Sequence, residues 1–404
     1  MKNKGITLIA LVITIIILLI LAGVSIAMLT GNNGILNQAK LAKENTEAAK
    51  EQEEKDLDKI NSYIHEKTIK DNYTDVNGDK ATIPEGFEVD ETENIISKGL
   101  VVHGPDKANG DNGSEFVWVP VPDINSMAQC STAGGNCNLQ LEDGVLKCKT
   151  HNDNEEVVGK LYATGTGESF GTINTIYDAN RGVREPAVIT GNSSGTGNDY
   201  DNKLEYNNNL FSLESLKTDY KNMATSVAKY GGFYVGRYEL SLSNATSSQA
   251  KNGMPQSKQG VIPTSANNSA TLSWYGLYSK QNKTYTGKND SIESSMIWGS
   301  QYDAILNWAK NGTDKDKVTN TSLGNNSGGK LTITGNDAYE NDSINNIRDL
   351  GGNLRELTLE ASSINLRVCR GGICSINNSP SYRVNVEPNT VSRVDGSRLS
   401  LYVK

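Results

Sequence analysis

Histidine and cysteine are scarce in this chain of 404 residues, which holds three and five of them. The histidines, His65, His103 and His151, stand in unrelated segments, and no C-x-x-C pair is present. A structural or catalytic zinc ion needs three or four such ligands at close spacing. The sequence therefore argues against a zinc site.

Positively charged side chains are also fewer than negatively charged ones. The chain has 39 lysines and arginines and 47 acidic residues, which gives a net charge of −8. The isoelectric point is near 5.2. Proteins that bind nucleic acid carry a basic patch or stripe to neutralise phosphates. We expect no nucleic-acid partner.

The five cysteines fall into two groups that suggest different roles. Cys130, Cys137 and Cys148 lie close together in what resembles an insertion, whereas Cys369 and Cys374 flank an Arg-Gly-Gly triplet. Outside a membrane disulfides are permitted, and the short spacing favours a Cys130–Cys137 bond.

One long apolar run stands at the N-terminus, where residues 6–29 contain no charged side chain. About 24 residues at about 1.5 Å each give about 36 Å, which suffices to cross a hydrocarbon core of about 30 Å. A cleaved secretory signal needs only about 7 to 15 apolar residues, so a membrane anchor fits better. Lys2 and Lys4 precede the run, which places the N-terminus inside and the rest outside the cell membrane, as a single-pass protein.

The first residues also resemble a prepilin leader, through the motif K-G-I-T-L-I-A-L at residues 4–11. The resemblance implies a leader of residues 1–5, cleavage between Gly5 and Ile6 with the accompanying methylation, and a mature helix of residues 6–30. Pilins usually have Glu at the fifth mature position, where its carboxylate pairs with a neighbouring amine inside the lipid, but this chain has Ala10. The loss argues against a long filament and favours a minor or tip subunit that contacts other pilin-like subunits.

Two segments follow the membrane run. Residues 31–70 predict a helical stalk after a Gly-Asn-Asn-Gly break, with an apolar stripe at Leu57, Ile60 and Ile64. Residues 71–112 are rich in turns and short β-runs, with an Asn77-Gly78 hairpin turn, and predict a connecting β-segment.

The C-terminal region carries three spaced motifs. They are D-L-G-G-N-L-R-E-L-T at 349–358, R-V-C-R-G-G at 367–372, and S-Y-R at 381–383 followed by G-S-R at 396–398. Together they resemble the formylglycine-generating enzyme (sulfatase-modifying factor) family, whose domain is a variant of the C-type lectin fold. Weaker matches upstream extend the resemblance over residues 113–404. Taken with the N-terminal segments, it implies an α+β fold class: a long N-terminal membrane and stalk helix followed by a loop-rich lectin-like domain.

The same resemblance argues against the family's oxidase chemistry. The two cysteines expected after the Gly-Gly pair are replaced by Ile376 and Ser381. Neither side chain offers a thiolate as metal ligand or nucleophile. We expect a scaffold that is not an enzyme.

The C-terminus also resembles lectin-fold proteins diversified by retroelements, in which invariant arginines and glycines support arbitrary surface residues. The implied framework residues are Arg367, Arg370, Gly371, Gly372, Arg383, Gly396 and Arg398. The implied ligand-binding residues on an exposed face are Cys369, Ile373, Cys374, Ser375, Asn377, Asn378, Ser381, Tyr382, Asn385 and Asn389, with Ile376 and Val384 between them. Adaptable polar residues on a rigid support are typical of recognition surfaces. The alternative is that these are ordinary loop residues.

No cofactor is expected except calcium, which the family's G-N-x-x-E loop can coordinate and which would here involve Asn353 and Glu356. Both residues can equally cap and bridge turns. The sequence thus predicts a membrane-anchored, pilin-like extracellular protein that binds a glycan or protein ligand, in adhesion or recognition. The alternatives are a formylglycine-type oxidase and a structural minor pilin.

Overall fold

The computed structural model describes residues 8–30, 34–69, 73–108, 110–131, 138–149, 156–164, 170–173, 185–187, 212–243, 253–264, 272–363 and 366–404. The chain divides into two compact units, Met1–Thr68 and Ile69–Lys404. The first unit is helical, and the described sheets all belong to the second.

Helix α1 spans Leu8–Thr30 and is apolar on every side. Its stretch Leu8–Ile26 is long and apolar enough to cross a membrane, a test that an N-terminal signal sequence also passes. The predicted apolar helix is therefore present, and the predicted cleavage at Gly5-Ile6 lies outside the described residues.

Helix α2 spans Ile35–Ile69, which confirms the predicted helix that follows the membrane run. The exposed pairs Lys40–Glu44 and Lys43–Glu47 lie four residues apart, with nitrogen–oxygen distances of 3.9 and 3.7 Å. Such pairs contribute only about 0.3 to 0.5 kcal/mol each. The predicted break at residues 31–33 and the side chains of the apolar stripe lie outside what the structure describes.

A six-stranded antiparallel sheet forms the centre of the second unit, in the order β15-β22-β12-β5-β4-β3. Its strands are β3 (Glu88–Val89), β4 (Val101–His103), β5 (Glu115–Pro120), β12 (Gly232–Gly236), β15 (Ile292–Met296) and β22 (Leu399–Val403). The last strand of the chain thus lies inside the sheet, between β12 and β15. The C-terminal residues are therefore part of the core and not an appendage.

This sheet is covered on both faces, as the alternation of its side chains shows. Along β5, Phe116 and Trp118 pack in one hydrophobic cluster, and Val117 and Val119 pack in the other. Successive side chains of a strand point to opposite faces, so a strand buried on both faces reads as a continuous apolar run. This explains the F-V-W-V-P sequence.

Three helices among the described residues pack into the larger cluster: α3 (Leu213–Tyr230), α4 (Trp274–Gln281) and α5 (Gly299–Asn311). In α3 the buried residues recur at helical spacing from Leu216 to Val227. The Ser212 side chain accepts a hydrogen bond from the Ser215 N–H at its start, and Gly231 in a left-handed conformation ends it.

A second sheet of four strands carries the C-terminal motifs, in the order β20-β19-β18-β21. The strands are β18 (Arg355–Ala361), β19 (Arg367–Arg370), β20 (Arg383–Val386) and β21 (Asp395–Ser397). The pair β18–β21 is parallel and the other two pairs are antiparallel. Strand β20 is therefore an edge strand.

Twelve short strands form six two-stranded ladders in the described residues. They are β1 (Tyr73–Thr74) with β2 (Lys80–Ala81), β6 (Ala128–Cys130) with β9 (Val157–Gly159), β7 (Leu139–Glu142) with β8 (Val145–Cys148), β10 (Leu161–Thr164) with β11 (Phe170–Ile173), β13 (Ser241–Ser243) with β14 (Met254–Gln256), and β16 (Ser343–Ile344) with β17 (Ile347–Arg348). With the helices they confirm a mixed α and β class.

The segment 71–112 differs from the connecting segment that we expected. Its strands β3 and β4 extend the six-stranded sheet, and Leu100 and Val102 are fully buried. The segment therefore belongs to the same compact unit as residues 113–404. Its predicted Asn77-Gly78 hairpin is confirmed, with β1 and β2 paired around it.

Cys130 is disulfide-bonded, as the sequence predicts. Its predicted partner, Cys137, lies outside the described residues.

Candidate functional site

The connection between β19 and β20, residues 371–382, is called here the C-terminal loop. It leaves β19 after Arg370 and returns to β20 at Arg383, two residues that lie opposite each other in the ladder. The Gly371 N–H donates to the Tyr382 carbonyl across the base of the loop at 3.0 Å. The loop is therefore closed at its base by the sheet itself.

Two glycines let the loop approach the segment at Leu350-Gly351. Gly371 has φ of +82°, in the left-handed region, and the Gly372 N–H donates to the Leu350 carbonyl at 3.2 Å. A Cβ atom on Gly372 would collide with the carbonyl oxygen of Gly351. Only glycine fits where two backbones meet this closely.

One buried carboxylate holds both ends of the loop. Glu360 on β18 is fully buried and pairs through Oε2 with Arg370 at 3.1 Å and through Oε1 with Arg383. Arg370 pairs in addition with Asp303 of α5, and its guanidinium lies 5.0 Å from the centre of the Tyr302 ring. Hydrogen bonds between charged groups are shorter and stronger than those between neutral groups, so Glu360 connects the two ends of the loop.

Arg398 links the two sheets. Its Nε donates to Glu356 Oε1 at 2.8 Å, its Nη1 to the Gly236 carbonyl at 2.8 Å and its Nη2 to the Arg348 carbonyl at 2.7 Å. The side chain is fully buried. It ties the end of β12 to β18.

Arg367 and Gly396 are closely packed in the second sheet. The Arg367 guanidinium lies 3.9 Å from the centre of the Trp274 ring and donates to the Leu359 carbonyl at 2.8 Å. A Cβ on Gly396 would lie 2.6 Å from a methyl carbon of Leu354. All seven framework residues of the sequence thus lie at supporting positions in or beside this sheet.

The ligand-binding residues predicted on an exposed face separate into three groups. Ser375, Asn377 and Asn385 are exposed, as is Ile376. Asn378, Tyr382 and Asn389 are half-buried, with Val384. Cys369, Ile373, Cys374 and Ser381 are buried.

The burial of these last four residues contradicts the prediction that they lie on an exposed face. Cys369 lies in the middle of β19, between Leu357 of β18 and Val384 of β20. Cys374 and Ser381 are buried, and their backbone N–H groups donate to the Asn353 and Val318 carbonyls. Burial raises the pKa of the Cys369 and Cys374 thiols, so neither is a reactive thiolate.

The residues predicted to bind calcium are hydrogen-bonded within the protein. The Asn353 side-chain oxygen accepts from the Thr332 N–H at 2.9 Å, and its amide donates to Glu239 at 2.6 Å. Glu356 pairs with Arg398. Within the described ranges no three His, Cys, Asp or Glu side chains are grouped to hold a metal ion. Calcium binding here stays a prediction.

Four acidic residues essential to this arrangement were not predicted. Asp303 and Glu360 neutralise Arg370, Asp395 pairs with Arg355, and Glu239 accepts the Leu354 N–H at 2.7 Å. Burial, together with the neighbouring Asp349 and Glu356 carboxylates, raises the pKa of Glu239 well above its usual range. For Asp303 the sequence did carry a signal, a single acidic residue among the mostly uncharged residues 298–308; for Asp395, which stands between Arg393 and Arg398, it carried none.

Neither a protein-family model nor a curated protein matches the chain. Two solved structures to which it is similar are CarF and variable protein 1 of Treponema denticola. CarF is 14% identical, with 43% of this chain and 87% of CarF covered and a TM-score of 0.28. The Treponema protein is 14% identical, with 71% of this chain and 95% of that protein covered and a TM-score of 0.24. Scores this low do not establish a shared fold.

Proposed function

We propose that this protein is a membrane-anchored, pilin-like extracellular binding protein whose second unit is a non-catalytic lectin-like domain of the formylglycine-generating enzyme type. The C-terminal loop and the adjoining edge strand bind the ligand, a glycan or a protein on another surface. The anchor is helix α1, and the protein acts in adhesion or recognition.

The observation that carries this proposal is the contrast between the tip of the loop and its support. Ser375, Ile376 and Asn377 are exposed at the tip, and Asn385 is exposed on the edge strand. The ends of the same loop are fixed by Glu360, which is fully buried. A rigid support that presents small polar side chains is the arrangement of a recognition surface, because little entropy is lost on binding.

The rival proposal, a formylglycine-type oxidase, needs two cysteines in this loop. Their places hold Ile376, which is 55% exposed, and Ser381, which is buried. The two cysteines nearby are buried, and burial raises their pKa. Copper-dependent oxidation of a cysteine-containing peptide by the full chain would favour the oxidase and overturn our proposal.

A test of binding must leave the fold intact. Deleting residues 365–404 would remove β22 from between β12 and β15. A loss of binding in that variant would therefore reflect loss of the fold and not loss of a binding site. Substituting exposed residues avoids this, since such changes alter the free energy of unfolding by about 0.5 kcal/mol or less each.

We expect the triple variant S375A/N377A/N385A to lose binding by about 10-fold or more while its unfolding stays that of the wild type. The measurement is binding of the full chain in nanodiscs to a glycan array and to surfaces coated with extracellular matrix proteins. A matched variant, S97A/T286A/T313A, changes three exposed polar residues outside the C-terminal region and should bind as the wild type does. If the wild type binds on these surfaces and the first variant binds equally well, the loop is not the binding site and the structural minor pilin is favoured.

A diversified surface adds a genetic expectation. If retroelements have altered this face, the flanking DNA contains a near-copy of the codons for residues 367–404, differing chiefly at adenines, beside a reverse-transcriptase gene. The differing codons should include those of Ser375, Asn377 and Asn385, because substitution there leaves the buried framework untouched. Sequencing the flanks decides this, and the absence of both elements means that the face has one particular partner or none.

A further inference from the structure

A surface cleft of about 470 Å³ opens between the end of β5, strand β10 and helix α5. Its lining includes the aromatic residues Tyr162 and Trp308 and the polar residues Asp123, Ser126, Asn307 and Asn311. None of its lining residues belongs to the C-terminal loop. The size is within the range of about 300 to 1,000 Å³ that is usual for sites of small ligands.

Helix α5 has two faces with different roles. Tyr302, Ile305, Leu306 and Ala309 are buried in the core. Ala304, Asn307, Trp308 and Asn311 recur at intervals of three and four residues and line the cleft. Residues at this spacing form one stripe along a helix, so the stripe faces the cleft as a unit.

The aromatic walls of the cleft are fixed in place. The Tyr162 hydroxyl donates to the Ser126 carbonyl at 3.1 Å, and its backbone N–H donates to Asp303 Oδ2 at 2.8 Å. Trp308 is the one tryptophan of the four in the chain that is not fully buried. Its indole packs partly against the core, and the part that stays exposed beside the cleft offers an apolar surface to a ligand.

We propose that this cleft binds a neutral hexopyranoside, with one face of the sugar ring against Trp308 and its hydroxyls on Asn307, Asn311 and Asp123. Sugar C–H groups carry slight positive charge and pack on the negative face of an aromatic ring. Amide and carboxylate groups at the rim supply the donors and acceptors that neighbouring hydroxyls require.

The chemistry of the rim favours a sugar over a proline-rich peptide. Asp123 is exposed and its carboxylate only accepts hydrogen bonds, which sugar hydroxyls can donate. A polyproline segment has no N–H groups and cannot do so. Both signs of charge occur near the cleft, since Asp123 lines it and the Lys160 ammonium lies 5.9 Å from the centre of the Tyr162 ring, and this favours a neutral ligand.

The test uses tryptophan emission of the full chain in phosphatidylcholine nanodiscs, titrated with methyl glucopyranoside, galactopyranoside and mannopyranoside. Because Trp308 alone is accessible among the four tryptophans, a bound sugar should change the long-wavelength part of the emission. We expect saturation on the order of 1 mM with at least one of them. Glycerol, which has hydroxyls but no ring, should give no saturation.

Substitutions in the cleft test whether the sugar binds there. W308A should weaken sugar binding by about 10-fold, measured by saturation-transfer NMR, while W308F retains a ring and keeps most of the affinity. If W308A does not fold, the single variants D123N and N311A test the proposal instead, since both residues are exposed and their replacement leaves the core unchanged. Each should weaken binding several-fold, and the exposed substitutions S97A and T286A, neither of which lies in the cleft or in the C-terminal loop, should leave it unchanged. The proposal is overturned if none of the three sugars saturates up to 100 mM, which is about 100 times the expected dissociation constant. It is also overturned if decaproline binds in their place.

Discussion

Replacing Arg370 with methionine should lower the free energy of unfolding by about 3 to 5 kcal/mol. The reason is that Asp303 is fully buried and would lose the guanidinium that neutralises it, while the equally buried Glu360 would keep only Arg383 as its partner. Removing one partner of a buried pair leaves a charge without solvent or counterion, which costs more than the pair contributes. The measurement is urea unfolding of the full chain in micelles at pH 7, followed by tryptophan emission, because all four tryptophans lie in the second unit.

Two comparison variants separate the charge from the general effect of the substitution. Arg393 is exposed, so R393M should change the free energy of unfolding by no more than about 0.5 kcal/mol. The double variant D303N/R370M removes Asp303 and Arg370 together, leaves the Glu360–Arg383 pair in place and should recover a large part of the loss. A loss below about 1 kcal/mol in R370M would show that the buried network does not support the loop.

The framework arginines could be predicted from the sequence, but their partners could not. Arg370, Arg383 and Arg398 stand in spaced motifs that the resemblance identified. Their carboxylates come from elsewhere: Asp303 is 67 residues from Arg370, and Glu356 is 42 residues from Arg398. Such pairings depend on which strands become neighbours, and a single sequence carries no record of that.

The buried group of predicted binding residues was missed for a related reason. In an edge strand covered on one face, R-V-C-R would place Val368 and Cys369 on opposite sides, one of them exposed. Strand β19 instead lies between β18 and β20 with both faces covered, so both side chains are buried. Burial of the second face is decided by helices and loops that are distant in the sequence.

Helix α5 shows what periodicity could have added. Its sequence has two stripes at helical spacing, one apolar and one containing Asn307, Trp308 and Asn311. The apolar stripe predicts a helix that packs on a core. The second stripe signals a site only once β5 and β10 are known to stand opposite it, because an exposed tryptophan alone does not indicate a cleft.

The start of α5 leads to a prediction about pH. Glu185 is fully buried, and its two carboxylate oxygens accept the N–H groups of Gly299 and Ser300, the latter at 2.8 Å. Burial, with Asp303 as a neighbouring negative charge, raises the pKa of Glu185 to about 7, although the hydrogen bonds act in the opposite direction. The same helix carries Asp303, the partner of Arg370, so its N-terminal turn contributes to the support of the loop.

Because the pKa of Glu185 is higher in the folded chain than in the unfolded chain, the folded state binds more protons between about pH 4.5 and pH 7. The stability that Glu185 contributes is therefore fully present below about pH 4.5 and is lost as pH rises to about 7. The loss should be about 3 kcal/mol, since one pKa unit corresponds to about 1.4 kcal/mol. Above pH 7 this contribution no longer changes.

The variant E185Q isolates this effect from the other buried carboxyl groups, because glutamine does not titrate while the rest of the chain is unchanged. Urea unfolding of wild type and E185Q at pH 5, 6, 7 and 8 should give a free-energy difference that shifts by about 2.5 kcal/mol in favour of E185Q as pH rises, because part of the loss already occurs below pH 5. Most of that shift should occur below pH 7. Parallel curves for the two proteins would mean that Glu185 is ionised throughout, and the turn at Gly299 and Ser300 would then stabilise a carboxylate strongly enough to outweigh its burial.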